Sequence, residues 1–175
     1  MRLQRGFTMI ELMITIMVLG LVLGLGVPGF RDLVLNNRQA SAVNELVTAL
    51  QLARSEAITR NVAAPSAVSV CASNTGTSCA GTWSDGWIVF TDANGNGALD
   101  GADLVLRSVD APASMAITGP GGAVRYRRDG RSPDATDFVF CDSRGASRAR
   151  VVQLGISGRP AAAKVLSTGA SPACG

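Results

Sequence analysis

The chain opens with a short basic leader and continues with a long apolar stretch that contains a single charged residue. Between Phe7 and Val27 that residue is Glu11. The stretch is long enough to cross a bilayer as a helix, for which about 20 residues are needed. Because a carboxylate inside such a segment is costly, one that is present normally has a function. The stretch therefore predicts a membrane-spanning helix with a functional acid near its start.

The order of the leader and the apolar stretch differs from that of an ordinary secretory signal. A secretory signal has small residues and a cleavage site after its apolar stretch, and none is evident here. A cut between Gly6 and Phe7 would remove Arg2 and Arg5 and leave Phe7 as a new amino terminus. That ammonium group would have to fold back along its own helix to reach Glu11. We therefore expect the terminus of a neighbouring, shifted helix to neutralise the carboxylate.

The stretch from Gly6 to Leu12 closely resembles the cleavage and methylation signal of type IV prepilins and type II secretion pseudopilins. The resemblance implies that a prepilin peptidase cuts after Gly6 and that the nitrogen of Phe7 is methylated. It also implies that Glu11 guides the registry of subunits during filament assembly. Pro28 lies where the helix of this family bends or melts. The alternative is an uncleaved signal anchor that only holds a domain at the membrane.

These features divide the chain into three predicted segments. Residues 1–6 are the prepilin leader peptide, residues 7–28 are a transmembrane or filament-core helix, and residues 29–175 are a periplasmic head. The head begins with an amphipathic pattern, because apolar residues recur at three- and four-residue steps between Val43 and Ala57. If this helix continues from the membrane segment, it forms one rod of roughly 80 Å, bent near Pro28.

Short β-prone runs separated by turn-forming residues follow the helical region. Their close spacing leaves no room for crossover helices, so we expect one mainly antiparallel sheet. Together with the resemblance, this predicts an α+β, type IV pilin-like fold in which a long N-terminal helix packs on an antiparallel β-sheet head. The predicted strands are Ala67 to Cys71, Trp87 to Thr91, Leu104 to Val109, Val124 to Arg128, Phe138 to Cys141, Val151 to Ile156 and Lys164 to Leu166.

The chain has four cysteines, an even number. Export to an oxidising compartment favours disulfides, and the spacing does not match the C-x-x-C pattern of a zinc or redox site. Four cysteines allow three connectivities. We favour Cys71 with Cys79, which closes a short polar loop, and Cys141 with Cys174, which fastens the C-terminal tail to the sheet.

A second resemblance covers the head. The segment from Trp83 to Phe90, with Leu104 to Arg107 after a polar loop, looks like the central hairpin of the GspH/FimT group of minor pilins and pseudopilins. The resemblance implies an inner-membrane, single-pass protein with a periplasmic head that later enters a pilus or pseudopilus. Its implied partners are prepilin peptidase and other minor and major pilins or pseudopilins. We predict a minor pilin of type IV pilus assembly at the filament tip, with the H-type pseudopilin of type II secretion as the alternative.

The polar loop of this hairpin partly fits a calcium-binding template. Its last position holds Asp103 rather than the longer Glu, and strands rather than helices flank it. We interpret it as a solvated hairpin turn built from Asn and Gly, and accordingly predict no cofactor. The alternative is a loop that binds calcium. The candidate ligands are Asp92, Asn94, Asn96, Asp100 and Asp103.

Charge is distributed unevenly along a chain whose net charge is +3. Residues 29–110 carry three more acidic than basic groups, whereas residues 111–175 carry nine basic and four acidic groups. FimT-type minor pilins bind DNA with a C-terminal Gly-Arg-x-Arg motif, which Gly158 and Arg159 match only in part. We interpret these cations as solvated charge or subunit contacts, with DNA binding as the alternative. They are Arg125, Arg127, Arg128, Arg131, Arg144, Arg148, Arg150, Arg159 and Lys164.

The sequence argues against an enzyme. It has no histidine, its cysteines are predicted to be oxidised, and no serine or carboxylate pair stands in a recognisable catalytic setting. The glycine-rich stretch 119–122 lacks the Gly-Lys-Ser/Thr ending of a phosphate loop, and we interpret it as a hairpin turn.

Overall fold

The computed structural model describes residues 6–61, 65–110, 112 and 114–174. These residues form a long α-helix, α1, followed by eight strands and two short 3-10 helices. The elements are α1 Met9–Thr59, β1 Ala67–Ala72, β2 Gly86–Asp92, β3 Val105–Asp110, β4 Ala116–Thr118, β5 Val124–Tyr126, β6 Thr136–Cys141, β7 Arg150–Leu154 and β8 Pro160–Ala163, with 3-10 turns at Trp83–Asp85 and Ala146–Arg148.

The chain divides into two compact units, one ending at Asn37 and the other, the head, running from Arg38 to Gly175. The first unit contains the apolar part of α1, and its residues are exposed over the whole membrane-length window. Residues on both sides of Pro28 are helical, so the chain does not melt there. A bend of the helix axis at Pro28 stays a prediction.

The head contains two antiparallel sheets rather than the one that we expected. The first has the strand order β3-β2-β1-β5 and the second the order β4-β6-β7-β8. Because β4 and β5 belong to different sheets, the glycine-rich stretch 119–122 passes from one sheet to the other, and its interpretation as a hairpin turn was wrong. The β2-β3 hairpin is present, with Trp87 paired to Val109.

The core of the head lies between the second half of α1 and both sheets. Small and branched side chains of α1 are fully buried there, including Leu46, Leu50 and Ala53. They pack against aromatic residues such as Trp87 of the first sheet and Phe138 of the second. The apolar spacing from Val43 to Ala57 therefore identified the buried face of the helix.

A buried amide joins α1 to the second sheet at the beginning of the head. Gln39 is 1% exposed, and its Nε2 donates to the carbonyl oxygens of Phe140 at 3.1 Å and Arg148 at 3.0 Å. A buried amide is stable only when its polar atoms are satisfied. No periodic pattern indicates this contact, because it depends on two carbonyls that are distant from Gln39 in the chain.

Six of the seven predicted strands are present, although their ends differ from the prediction. β5 and β7 are shorter than predicted, because tight turns follow Tyr126 and Leu154. The strand predicted at Lys164 to Leu166 was wrong, since the final strand is Pro160–Ala163. This strand lies at the edge of its sheet, where proline, which lacks an N–H donor, is tolerated. The three-residue strand β4 was missed.

Candidate assembly and binding sites

The N-terminal motif lies at the point where α1 begins. The helix starts at Met9, and Gly6 and Phe7 precede it. The backbone N–H of Glu11 donates to Oγ1 of Thr8 at 3.3 Å, so Thr8 caps the helix. The predicted cleavage point between Gly6 and Phe7 therefore lies outside the helix. Arg2 and Arg5 of the leader lie outside the described residues.

Thr8 is a residue that the motif analysis did not single out. A threonine followed three residues later by a glutamate is a known signature of a helix start, and Thr8 with Glu11 has this spacing. The spacing of Thr8 and Glu11 therefore indicates the cap from the sequence.

Residues 9–27 of α1 present apolar side chains on all of their described faces. One 18-residue window has a mean hydropathy of 2.4, and none of it is buried in this chain. By length and composition it is suited to cross a membrane. Leu12 and Leu21, for example, are 53% and 59% exposed. Such a surface requires lipid or other apolar helices around it, and Glu11 is the one charge in that surface.

Two of the nine predicted polyanion-binding residues are engaged in ion pairs within the head. Arg125 forms a bidentate pair with Asp134, with N···O distances of 2.8 and 2.9 Å. Arg144 forms an ion pair with the fully buried side chain of Asp142, with a shortest N···O distance of 2.6 Å. Hydrogen bonds from Arg144 lower the pKa of Asp142, although burial opposes the shift. These arginines stabilise turns and are poorly placed to bind an external ligand.

A second group of arginines surrounds the place where two tight turns meet. One turn is closed by the N–H of Gly130 donating to the carbonyl of Arg127 at 2.8 Å, and the other by the N–H of Gly158 donating to Gly155 at 2.9 Å. Nε of Arg54 on α1 donates to the carbonyl of Gly130 at 2.9 Å. We call this group the arginine surface. It comprises Arg54, Arg127, Arg128, Arg131 and Arg159.

The remaining cations lie near the opposite end of the helical part of the head. Arg150 and Lys164 line a small cleft together with Ala40 and Val43 of α1, and the carbonyl of Arg148 accepts the Gln39 amide. Positions 40 and 54 are separated by about 20 Å along a helix. The nine residues therefore do not form one continuous track for DNA.

The polar loop between β2 and β3 is folded back on itself. Asp92 is fully buried, and its carboxylate accepts hydrogen bonds from the Ser69 hydroxyl and from the N–H groups of Asn96 and Gly97. Leu99, in the middle of the loop, packs on the outer face of the first sheet. The loop is thus a cover for that sheet as well as a turn, which the solvated-turn interpretation did not anticipate.

The side chains of this loop form hydrogen bonds with one another and with the loop backbone, and calcium binding there stays a prediction. Both oxygens of Asp103 accept backbone N–H groups, from Ala93 at 2.8 Å and Asp100 at 3.0 Å. The side-chain amides of Asn94 and Asn96 donate to Asp100. Among the residues that the structure describes, no group of three or more His, Cys, Asp or Glu is placed to hold a metal.

Both disulfides have the predicted pairing, Cys71 with Cys79 and Cys141 with Cys174. The first closes the polar loop after β1. The second holds the C-terminal tail against the outer face of the second sheet, where Leu166 also packs. Segments without regular secondary structure therefore cover the outer faces of both sheets, which would otherwise be exposed to solvent.

Two sequence families match the chain. The family described as "Type II transport protein GspH" matches residues 42–158, which is most of the head. The family described as "Prokaryotic N-terminal methylation motif" matches residues 1–27. No curated protein matches the chain significantly.

Two solved structures have a similar fold, and both are crystal forms of the type IV minor pilin FimU from Pseudomonas aeruginosa. One has a TM-score of 0.56 and 22% sequence identity, and the match covers 72% of this chain and 88% of FimU. The other has a TM-score of 0.55 and 22% identity, and the match covers 71% and 91%. At this level of identity, the likeness establishes a shared pilin-like fold.

Proposed function

Because the chain belongs to the GspH family and carries the N-terminal methylation motif, we propose that it is a minor pilin that takes part in type IV pilus assembly near the filament tip. This family consists of structural subunits of filaments rather than enzymes. The observation that carries the proposal is Glu11, a single acid at the start of an exposed apolar helix and directly after the cleavage motif. The protein would therefore act by contacting other subunits rather than by catalysing a reaction.

Assembly would proceed through the N-terminal end of α1. Prepilin peptidase removes residues 1–6, and methylation of the Phe7 nitrogen leaves it positively charged. Glu11 then pairs with the Phe7 nitrogen of the neighbouring subunit, so that two charges that would each be isolated in an apolar environment neutralise each other. A helix displaced by about one turn, roughly 5 Å, brings the two groups together. This pairing sets the registry between subunits.

Before assembly the protein would be anchored in the inner membrane by residues 7–28, with residues 29–175 as a periplasmic head. The two disulfides support an oxidising location for the head. The partners are prepilin peptidase, then other minor pilins and the major pilin. Intact mass spectrometry of the mature protein tests this: loss of residues 1–6 and gain of one methyl group are expected, and an intact leader would refute the proposal.

A minor pseudopilin of type II secretion is the second candidate, favoured by the description of the matching family. The FimU likeness supports a fold common to both systems. Deletion of the gene distinguishes them. Loss of twitching and of surface pili indicates the pilus, whereas retention of secreted enzymes in the periplasm indicates type II secretion.

DNA binding during natural transformation is the third candidate. Its support is the arginine surface, in which Arg159 follows Gly158, although Pro160 and Ala161 replace the rest of the Gly-Arg-x-Arg motif. A gel shift with the full chain in detergent tests it. Binding that falls steeply with salt and is lost in Arg159→Ala supports DNA recognition, and no shift at low salt refutes it.

A further inference from the structure

The arginine surface lies at the end of α1 in the head. Arg54 and Ile58 belong to the last turns of the helix, which ends at Thr59. Two branched aliphatic side chains are exposed beside the arginines: Ile58 is 47% exposed and Ile156 is 58% exposed. The N–H of Ser132 donates to the carbonyl of Ile156 at 3.2 Å, which ties both turns together. Two exposed isoleucines therefore accompany the arginines at these turns.

Close backbone packing fixes the two turns that carry this surface. Gly130 and Gly158 have φ of 71° and 72°, in the left-handed region that favours glycine. A Cβ at Gly158 would overlap the carbonyl oxygen of Gly130, and a Cβ at Gly130 would lie 2.7 Å from Cδ1 of Ile58. The turns thus hold the arginines and isoleucines in place as a preformed surface rather than as independent flexible loops.

The positive charge of this surface exceeds its negative charge. Asp129 lies in the same turn, where its carboxylate accepts the backbone N–H of Arg131 at 3.0 Å, and it is the one acid in residues 127–131. Among the described residues, no carboxylate lies within 4.0 Å of the side chains of Arg127, Arg128, Arg131 or Arg159, whereas Arg125 and Arg144 have such partners. Arg54 donates to a backbone carbonyl. Gathering like charges in excess of their counter-charges is unfavourable in isolation. An acidic partner would remove this cost.

The composition of the surface favours a protein over a nucleic acid. Arginines around buried apolar anchors are typical of protein interfaces. Proteins that bind single strands instead use exposed aromatic rings for stacking, and every aromatic side chain in the described part of residues 38–175 is buried. Exposed aspartates are also present on this head, with Asp100 in the β2-β3 loop and Asp110 at the far end of β3. An acidic surface on a neighbouring head would form a heterologous contact with the arginines.

We propose that the arginine surface docks the acidic face of a neighbouring pilin-type head, with Ile58 and Ile156 packed at the centre of the contact. The inference rests on the proposed function, because it requires the chain to enter a filament. It goes beyond that function by assigning a head-to-head contact separate from the pairing of Glu11. The arginines provide attraction and orientation, and the isoleucines provide apolar burial.

Photo-crosslinking from position 156 of the full chain in its native host tests this contact. Ile156 is replaced by p-benzoylphenylalanine, and adducts are identified by mass spectrometry. We expect the adduct to join position 156 to a carboxylate-rich segment in the head of another subunit that carries the N-terminal methylation motif. Arg131→Glu with Arg159→Glu should lower its yield about tenfold.

The matched control is Arg150→Glu with Lys164→Glu, which makes the same charge change at the other cluster and should leave the yield unchanged. A charge reversal in the partner provides a rescue test. When an acidic residue of the crosslinked segment is replaced by lysine, the adduct yield of the Arg131→Glu with Arg159→Glu variant should recover. Equal loss in both double variants, or no adduct with a pilin-type head, would overturn the proposal. A duplex-DNA gel shift of the full chain, lost in the first double variant while no such adduct forms, would assign the surface to DNA instead.

Two measurements in the same cells separate failure of this contact from failure of the proposed function. Intact mass reports leader removal, and the amount of the wild-type chain in sheared filaments reports incorporation. If the chain is processed and incorporated but yields no adduct, the docking contact alone is wrong. If it is neither processed nor incorporated, the proposed function is wrong and the docking contact falls with it.

Discussion

The two halves of α1 contain similar apolar residues in opposite environments. Leu21 in the first half is 59% exposed, whereas Leu46 and Leu50 in the second half are completely buried under the two sheets. The second half obtains its stability from the packing of its own chain. The first half has no such partner in its unit, so lipid or neighbouring helices must supply its surroundings. One continuous helix therefore has one half that forms the core of the head and one half that depends on surroundings outside its own unit.

Removal of a buried leucine should give the largest difference between the halves. Leu50→Ala leaves a cavity in the core and should lower the free energy of unfolding of the head by about 3 to 4 kcal/mol. Leu21→Ala is the matched control and should leave head stability unchanged. Thermal unfolding of both full-length variants in detergent measures the effect. Equal destabilisation by the two substitutions would show that the halves do not differ as described.

A methyl group at Gly158 should have the next largest effect. Gly158→Ala places a Cβ against the Gly130 carbonyl in a left-handed backbone conformation, which should cost about 2 kcal/mol of head stability. Gly155→Ala, in the same turn without that contact, is the control. Denaturant unfolding compares them. A Gly158→Ala protein as stable as the wild type would mean that the two turns are not tightly packed.

The pair of Arg144 and Asp142 should make the stability of the head depend on pH. The pKa of Asp142 is below its ordinary value near 3.8, so its stabilising contribution is present above that pH and is lost as pH falls through the lower value in the folded protein. Arg144→Leu should cost about 2 kcal/mol at neutral pH and progressively less below pH 3.8. Unfolding midpoints across this range measure it. A cost that is constant with pH would contradict the pairing.

The cap at the start of α1 should have the smallest effect, because it is a single local hydrogen bond. Thr8→Val removes the acceptor for the Glu11 N–H and should cost about 1 kcal/mol in the first turn. Faster amide hydrogen exchange at Glu11 in micelles would report this loss. Thr8→Ser keeps the acceptor and should exchange like the wild type. Similar exchange in all three proteins would show that Thr8 is not the cap.

Local patterns in the sequence predicted the helix, most strands and both disulfides. The helix followed from apolar spacing, and the pairing of Cys141 with Cys174 followed from the need to fasten the tail. Contacts between distant segments were not predictable, because they depend on how the sheets stack. The amide of Gln39, the buried carboxylate of Asp92 and the division into two sheets are of this kind.

The candidate site was predicted unevenly for the same reason. The cleavage motif and Glu11 lie close together in sequence, so one short pattern contains them. The cations were predicted as one set from net charge alone, but folding places Arg125 and Arg144 in ion pairs and separates Lys164 from Arg159. Charge along a sequence does not determine which charges share a surface.

The most direct test of the central claim is the incorporation of a Glu11→Ala subunit into filaments. The fraction of mature subunit in sheared filaments, relative to the membrane, is compared for the wild type, Glu11→Ala and the neighbouring control Met13→Ala. We predict that all three are cleaved after Gly6, that Met13→Ala enters filaments like the wild type, and that Glu11→Ala stays in the membrane. Incorporation of Glu11→Ala at the wild-type level would contradict the pairing of Glu11 with the neighbouring Phe7 nitrogen.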